Sequence, residues 1–282
     1  MTKPLISVDD LAARLGEADL RIFDLRHDLM DHAVGPRAYE QAHIPGARYL
    51  NHETELSAER TGQNGRHPLP PRDQVAGLMA AHGIKPSTLV VAYDASGGMY
   101  AAHLWWMLRW IGHERVAVLD GGWQAWNGAG RPTESGPVRT VAPLSGIVPA
   151  QPLVGTVDAQ AVLQNIPAQA FTVIDARAGN RYRGEVEPMD PVAGHIPGAL
   201  NRPNVENLTP EGRFKDAAEL RSEFTLLLDG RDPHEIVHQC GSGITACHNL
   251  LSMEIAGLTG SRLYPGSWSE WCADASRPVA KG

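Results

Sequence analysis

Short apolar runs alternate along this chain with longer segments of helical character. The runs are rich in branched side chains, which predicts strands at 20–25, 89–93, 116–119, 171–174, 236–238 and 262–264. Start and stop signals and apolar faces predict helices at 71–82, 99–111, 216–228 and 246–256. Alternating strands and helices indicate an α/β fold with a mostly parallel sheet flanked by helices. Ligands in such folds bind beyond the carboxyl ends of the strands.

The same pattern occurs twice. Three motifs of the first half return in the second half in the same order: Ile22-Phe23-Asp24-Leu25-Arg26 as Val173-Ile174-Asp175-Ala176-Arg177, His43-Ile44-Pro45-Gly46-Ala47 as His195-Ile196-Pro197-Gly198-Ala199, and Gly121-Gly122-Trp123-Gln124-Ala125-Trp126 as Gly266-Ser267-Trp268-Ser269-Glu270-Trp271. We interpret this as the duplication of one domain. The predicted domains are residues 1–130 and 153–282, joined by an extended linker rich in Gly, Pro and Ser at 131–152.

Composition narrows the class of protein. The chain is 43% hydrophobic and 20% charged, as is usual for a globular protein, and its net charge of −7 argues against a nucleic-acid surface. No run approaches the ~20 apolar residues of a membrane span, and the N-terminus lacks the apolar core of a signal peptide. Three cysteines are too few for a disulfide framework. We therefore expect a cytoplasmic protein.

The strongest chemical signal is Cys240-Gly241-Ser242-Gly243-Ile244-Thr245-Ala246, which follows a predicted strand and precedes a predicted helix. Backbone N–H groups without helical partners converge at such a position, and the helix dipole favours negative charge there. The loop therefore suits a thiolate nucleophile. A cysteine phosphatase is unlikely on this pattern, because its Cys-x5-Arg loop needs an arginine where Ala246 stands.

Aligning the two copies places Asp94 opposite Cys240. A carboxylate is no sulfur nucleophile, so we expect the first domain to be catalytically silent and to form one wall of a cleft between the domains. Asp94 itself is expected to cap the following helix.

These features resemble the tandem rhodanese-type sulfurtransferases: two copies, each with His-Ile-Pro-Gly-Ala, and one cysteine loop in the second copy. The loop Cys-Gly-Ser-Gly-Ile-Thr is similar to the cysteine loop of those family members that use 3-mercaptopyruvate. It lacks the basic residues that this loop tends to carry in members that prefer thiosulfate. The resemblance implies that Cys240 takes sulfur from the donor as a persulfide and releases pyruvate. A thiol, a dithiol protein or cyanide then accepts the sulfur. No cofactor is implied.

The resemblance also implies the residues around the cysteine. Gly241, Gly243, Ile244 and Thr245 would form the loop around the substrate's sulfur. The Thr245 hydroxyl would cap the following helix, which we expect, or contact the sulfur. Arg181 would bind the donor's carboxylate.

A second family arginine, in Glu-Pro-Arg, is replaced here by Met189, and Arg183 is a possible substitute. Ser242 and His67 match two members of a Ser-His-Asp arrangement that assists proton transfer. The third member aligns with Asn51, with His52 and Glu53 close by.

Other recurrent residues have plainer interpretations. We expect Asp24, Asp175, His43 and His195 to be structural, because the copy without a cysteine also carries them. The tryptophan pairs 123/126 and 268/271 are expected in the core.

His238, Cys247 and His248 form with Cys240 a metal-like set without zinc-ligand spacing, so no metal is expected and Cys247 is expected to be an inert packed thiol.

Two alternatives to mercaptopyruvate transfer stay open: the same fold acting on thiosulfate, and a carrier that delivers persulfide to a protein partner.

Overall fold

The computed structural model describes residues 3–137 and 149–282. The chain divides into two compact units, one of Met1–Ser57, Pro70–Leu153 and Pro210–Phe214, and one of Ala58–Leu69, Val154–Thr209 and Lys215–Gly282. Residues 138–148 of the expected linker lie outside the described residues, and the domain limits at 130 and 153 stay a prediction.

The first unit is built on a parallel five-stranded sheet of order β1-β5-β4-β2-β3. Its strands are β1 (Leu5–Ile6), β2 (Leu20–Asp24), β3 (Ala47–Tyr49), β4 (Leu89–Tyr93) and β5 (Val116–Leu119). Its helices are α1 (Val8–Ala13), α2 (Val34–Gln41), α3 (Arg72–Ala81), α4 (Met99–Trp110) and α5 (Gly122–Gly128). Every residue of β4 is buried, as expected for a central strand covered on both faces.

The second unit repeats this plan with a parallel four-stranded sheet of order β7-β6-β8-β9. Its strands are β6 (Thr172–Asp175), β7 (Leu200–Asn201), β8 (Ile236–Gln239) and β9 (Arg262–Leu263). Its helices are α6 (Ala159–Ala168), α7 (Gly179–Tyr182), α8 (Ala217–Leu228), α9 (Ile244–Ile255) and α10 (Ser267–Trp271), with 3-10 turns at Asn204–Asn207 and Pro233–Glu235. The central strand β8 is buried throughout and ends directly before Cys240.

The predicted α/β fold is confirmed, and so are the predicted strands and helices, whose ends shift by one or two residues. Many of the elements that the pattern missed are short, such as β1, β7 and α7, and a period of two or 3.6 residues has no length over which to show in them. The prediction also missed two longer helices, α2 with eight residues and α6 with ten. Within the described residues, no helix is long and apolar enough to cross a membrane.

The repeated tryptophans belong to the cores, as expected. Trp126, Trp268 and Trp271 are completely buried, and Trp123 packs against the core of the first unit while partly exposed.

The repeated acidic motif fixes the loop after β2 and after β6. In the first unit Arg26 Nε lies 3.0 and 2.9 Å from the two carboxylate oxygens of Asp24, and its Nη2 donates to Ala42 O. In the second unit the Arg177 guanidinium binds Asp175 in the same way, with both Nε distances 3.1 Å. These buried pairs are structural in both copies, as predicted.

The repeated histidines also have equivalent structural contacts. His43 Nδ1 lies 2.8 Å from Tyr39 O, and the two rings stack with centroids 3.9 Å apart. His195 makes the same two contacts with Tyr182, at the same distances.

Candidate active site

Cys240 is held by its backbone at the end of β8. Its N–H donates to Ser267 Oγ at 3.1 Å, and its carbonyl accepts the Trp268 N–H at 3.0 Å. Only 2% of Cys240 is exposed. These two hydrogen bonds to the first residues of α10 therefore fix the backbone of Cys240 at the start of the loop.

The loop directs a backbone N–H at the sulfur. Gly243 donates to Cys240 Sγ at 3.2 Å and is the N-cap of α9, with φ of 89°. A Cβ there would lie 2.6 Å from Pro265 O, so both the conformation and the space require glycine. The sulfur consequently faces the positive end of a twelve-residue helix.

The equivalent loop of the first unit holds a buried aspartate side chain. Asp94 follows β4, and its carboxylate accepts four backbone hydrogen bonds of 2.8–3.0 Å, from Ser96, Gly98, Tyr100 and Ala101. Burial raises the pKa of Asp94, while the four N–H groups act in the opposite direction. The expectation that Asp94 is the N-cap of α4 is wrong, because the N-cap is Gly98. The Asp94 carboxylate nevertheless accepts the N–H groups of Tyr100 and Ala101 in the first turn of that helix.

Ser242 and His67 are brought together. The Oγ of Ser242 lies 2.7 Å from His67 Nδ1, and both side chains are buried. His67 was expected to contribute from the first domain, but its segment, Ala58–Leu69, clusters with the second unit. The pair can pass a proton near the cysteine loop.

The residues considered as the third member lie in the first unit. Asn51 Oδ1 accepts the N–H groups of Glu53 and Thr54, so this side chain closes its own turn. Glu53 Oε1 lies 3.4 Å from His27 Nε2.

Arg181 carries a tightly bound carboxylate. Its Nε and Nη2 donate to the two oxygens of Glu187 at 3.2 and 2.6 Å, and Nη2 lies 3.5 Å from Asp190. Burial alone would raise the pKa of Glu187, but the hydrogen bonds of Arg181 and of Met189 N–H hold that pKa below its usual value. Arg183, the possible substitute, pairs instead with Glu185 on the surface.

The sequence interpretation missed Arg66. This residue precedes His67 and forms an ion pair with Asp190 through Nη1. A Cβ added at Gly241 would lie 2.7 Å from Arg66 Nη2 and 3.8 Å from both terminal nitrogens of Arg181. Two guanidinium groups therefore lie beside the residue that follows the cysteine. The signal that could have identified Arg66 from the sequence was its position directly before His67.

The remaining loop residues are placed as follows. Ile244 is buried and begins α9, two residues earlier than predicted. The expectation that Thr245 caps this helix is wrong, because the N-cap is Gly243 and no side chain makes a capping bond there. The Gly241 carbonyl accepts the Ser269 N–H at 2.9 Å.

Two residues of the metal-like set, His238 and Cys247, contact different partners. His238 Nε2 lies 3.1 Å from Met253 Sδ, and burial lowers its pKa to about 3. Cys247 donates its S–H to Gly243 O at 3.3 Å, and burial, reinforced by the nearby Cys240, raises its pKa well above the ordinary value. All three cysteines are free.

Comparison with known proteins gives a consistent picture. A model of the rhodanese-like domain matches residues 7–129 and again 158–274. A probable 3-mercaptopyruvate sulfurtransferase of Pseudomonas aeruginosa is 44% identical over 99% of this chain and 98% of its own length. A putative thiosulfate sulfurtransferase, SseB of Mycobacterium tuberculosis, is 37% identical over 99% of this chain and 97% of its own. The solved 3-mercaptopyruvate sulfurtransferase from Leishmania major matches with a TM-score of 0.86 at 30% identity, over 98% of this chain and 76% of that one.

Proposed function

This chain is a sulfurtransferase of the rhodanese-like family, and we propose that it moves the sulfur of 3-mercaptopyruvate through a Cys240 persulfide to a thiol, a dithiol protein or cyanide. The observation that carries the proposal is the Gly243 N–H donated to Cys240 Sγ at the start of α9. It supports a nucleophilic thiolate at this position.

The transfer has two balanced steps. The Cys240 thiolate attacks the donor's sulfur, and the carbon–sulfur bond breaks with its electron pair on carbon, which leaves as the enolate of pyruvate and takes up a proton. The acceptor then attacks the outer sulfur, the sulfur–sulfur bond breaks, and the thiolate is restored. The Ser242–His67 pair, 2.7 Å apart, is suited to deliver the proton to the enolate.

The backbone of residues 241–246 is proposed to stabilise the thiolate and the ionised persulfide, as an oxyanion hole stabilises oxygen. The first unit supports this, because its equivalent loop binds the Asp94 carboxylate with four N–H groups. With that carboxylate occupying the place of the nucleophile, the first unit is proposed to be catalytically silent.

The choice of donor is supported by the neutral loop, since no basic residue lies between Cys240 and Ala246. It is also supported by the 44% identical relative described as a probable 3-mercaptopyruvate sulfurtransferase. Thiosulfate is the alternative donor, favoured by the description of the 37% identical relative.

The test is the steady-state kcat/KM for 3-mercaptopyruvate and for thiosulfate, measured side by side with cyanide as the common acceptor. An excess for 3-mercaptopyruvate is the expected result, and an excess for thiosulfate would assign the other donor. If neither donor supports turnover, and mass spectrometry finds a Cys240 persulfide only after incubation with a protein partner, the chain is a carrier instead.

A further inference from the structure

We propose that Arg66 supplies the fork that binds the donor's carboxylate, in place of the arginine that Met189 replaces; this inference rests on the proposed function. Carboxylates bind best to a guanidinium edge with two parallel N–H groups. The question is therefore which arginine beside Gly241 has such an edge available.

The Nε–Nη2 edge of Arg181 is already bound to Glu187. Its Nε and Nη2 donate to the two oxygens of Glu187, which is nearly completely buried and which Arg177 Nη1 also contacts at 3.3 Å. Displacing Glu187 would leave a buried carboxylate short of partners, which is costly. The other edge of Arg181, formed by Nη1 and Nη2, shares its Nη2 with Asp190, whose Oδ2 lies 3.5 Å away. This leaves Nη1 as the Arg181 nitrogen without an ion-pair partner among the described residues.

The Nε–Nη2 edge of Arg66 has no hydrogen-bond partner among the described residues. The Arg66 Nη1 binds Asp190, whose side chain is 3% exposed, and this ion pair fixes the plane of the guanidinium. Its Nε is buried and has no hydrogen-bond partner among the described residues. Its Nη2 is the atom nearest to the space beside Gly241. A buried donor without a partner is unfavourable, and a carboxylate accepting from Nε and Nη2 would satisfy it.

The position of Arg66 relative to the cysteine is fixed by the backbone. The Arg66 N–H donates to Ser269 Oγ at 3.0 Å, and the Ser269 N–H donates to the carbonyl of Gly241 at 2.9 Å. Arg66 is thereby tied through one residue to the neighbour of Cys240. Since His67 is the next residue along the chain, the same segment presents the carboxylate fork and the proton-transferring histidine to the donor.

The first experiment measures binding without turnover. Titration calorimetry of 3-mercaptopyruvate into the full-length Cys240→Ser protein gives the donor Kd, and the same titration is made with Arg66→Met or Arg183→Met added. Arg183 is the matched control, because it is an arginine of the same segment as Arg181 but pairs with Glu185 on the surface.

We expect Arg66→Met to raise the donor Kd about 10- to 100-fold, as for the loss of hydrogen bonds to a charged group, and Arg183→Met to leave it unchanged. If the Cys240→Ser protein binds donor and Arg66→Met binds it equally well, the role of Arg66 is wrong while the proposed function stands. If the Cys240→Ser protein binds no 3-mercaptopyruvate, the proposed donor and this inference both fail.

A second variant guards against misfolding of Arg66→Met, which removes the partner of a buried carboxylate. Gly241→Ala keeps the arginine but places a methyl carbon 2.7 Å from Nη2, at a backbone position that is not left-handed. In the otherwise native enzyme we expect this variant to raise the donor KM by a larger factor than it slows the discharge of a preformed persulfide to cyanide, because the donor's carboxylate is bound only in the first half-reaction. An unchanged KM, or equal slowing of both half-reactions, would overturn the assignment.

Discussion

The loop glycine Gly243 allows a sharp test of how the site is built. Its φ of 89° costs a residue with a side chain about 1–2 kcal/mol. A Cβ would in addition lie 2.6 Å from Pro265 O, a backbone atom that no rotamer change can move. Overpacking of this kind costs a further ~1–3 kcal/mol. We therefore expect Gly243→Ala to lower the free energy of unfolding by about 2–5 kcal/mol.

The same change should impair catalysis in the fraction that stays folded. The Gly243 N–H is the hydrogen bond that the Cys240 sulfur receives, and any shift of the loop weakens it. Removing one such donor from an oxyanion hole lowers kcat about 10²- to 10³-fold, and a sulfur anion at the same kind of site should behave similarly.

Urea unfolding followed by circular dichroism, together with kcat measured well below the unfolding midpoint, checks both effects. Gly198→Ala is the control, because Gly198 has φ of 80° and no atom within 4 Å of its Cβ position. This control should show the conformational cost of about 1–2 kcal/mol alone and keep its activity. A Gly243→Ala protein as stable and as active as Gly198→Ala would refute the reasoning.

Three further expectations concern the thiols and the proton-transferring pair. Cys240→Ser should abolish turnover with both donors, and appreciable residual activity in a steady-state cyanide assay would contradict the mechanism. Ser242→Ala removes the 2.7 Å partner of His67 and should lower kcat with 3-mercaptopyruvate about 10²-fold. In stopped-flow experiments the loss should fall on pyruvate release, and a loss confined to persulfide discharge would exclude the proposed role. Burial raises the pKa of Cys247 above its ordinary value of 9.0, so the folded protein keeps a proton that the unfolded chain releases. Stability should therefore fall as the pH rises above about 9, by ~1.4 kcal/mol per pH unit for this group, and Cys247→Ala should reduce that slope by one proton in urea titrations. If the slope were the same in Cys247→Ala as in the native protein, the pKa of Cys247 would not be raised by folding.

The sequence predicted those parts of the molecule that occur in both copies or whose hydrophobic pattern runs over many residues. The buried strands, the long helices and the Cys240 loop follow from local pattern, and the duplication identified the tryptophan cores and the Asp-Arg pairs. The same reasoning assigned the helix cap to Thr245, because a hydroxyl near a helix start is a common cap. The left-handed Gly243 begins α9 without one.

Contacts between distant parts of the chain do not follow from local pattern. His67 and Ser242, 175 positions apart, were paired only by the family resemblance, and the Arg66–Asp190 pair, 124 positions apart, was not predicted. The segment 58–69 clusters with the second unit although it precedes half of the first, and no local pattern carries that information. Arg66 was missed for this reason, while Arg181 was found only through the family resemblance.

The two copies together indicate which chemical state the cysteine loop fits best. In an aspartate, Cγ separates Cβ from the carboxylate oxygens. In a cysteine persulfide, Sγ separates Cβ from the outer sulfur. The two side chains therefore place a negatively charged atom the same number of bonds from the backbone. In the first unit the two Asp94 oxygens occupy such positions, and each accepts two N–H groups. In the second unit Cys240 Sγ receives one N–H, from Gly243. The N–H groups at the start of α9 have no intrahelical acceptor, and an outer sulfur would reach toward them as the Asp94 oxygens reach toward those of α4. On the proposed mechanism, the loop therefore offers more N–H groups to the outer sulfur of a Cys240 persulfide than to the thiolate sulfur itself.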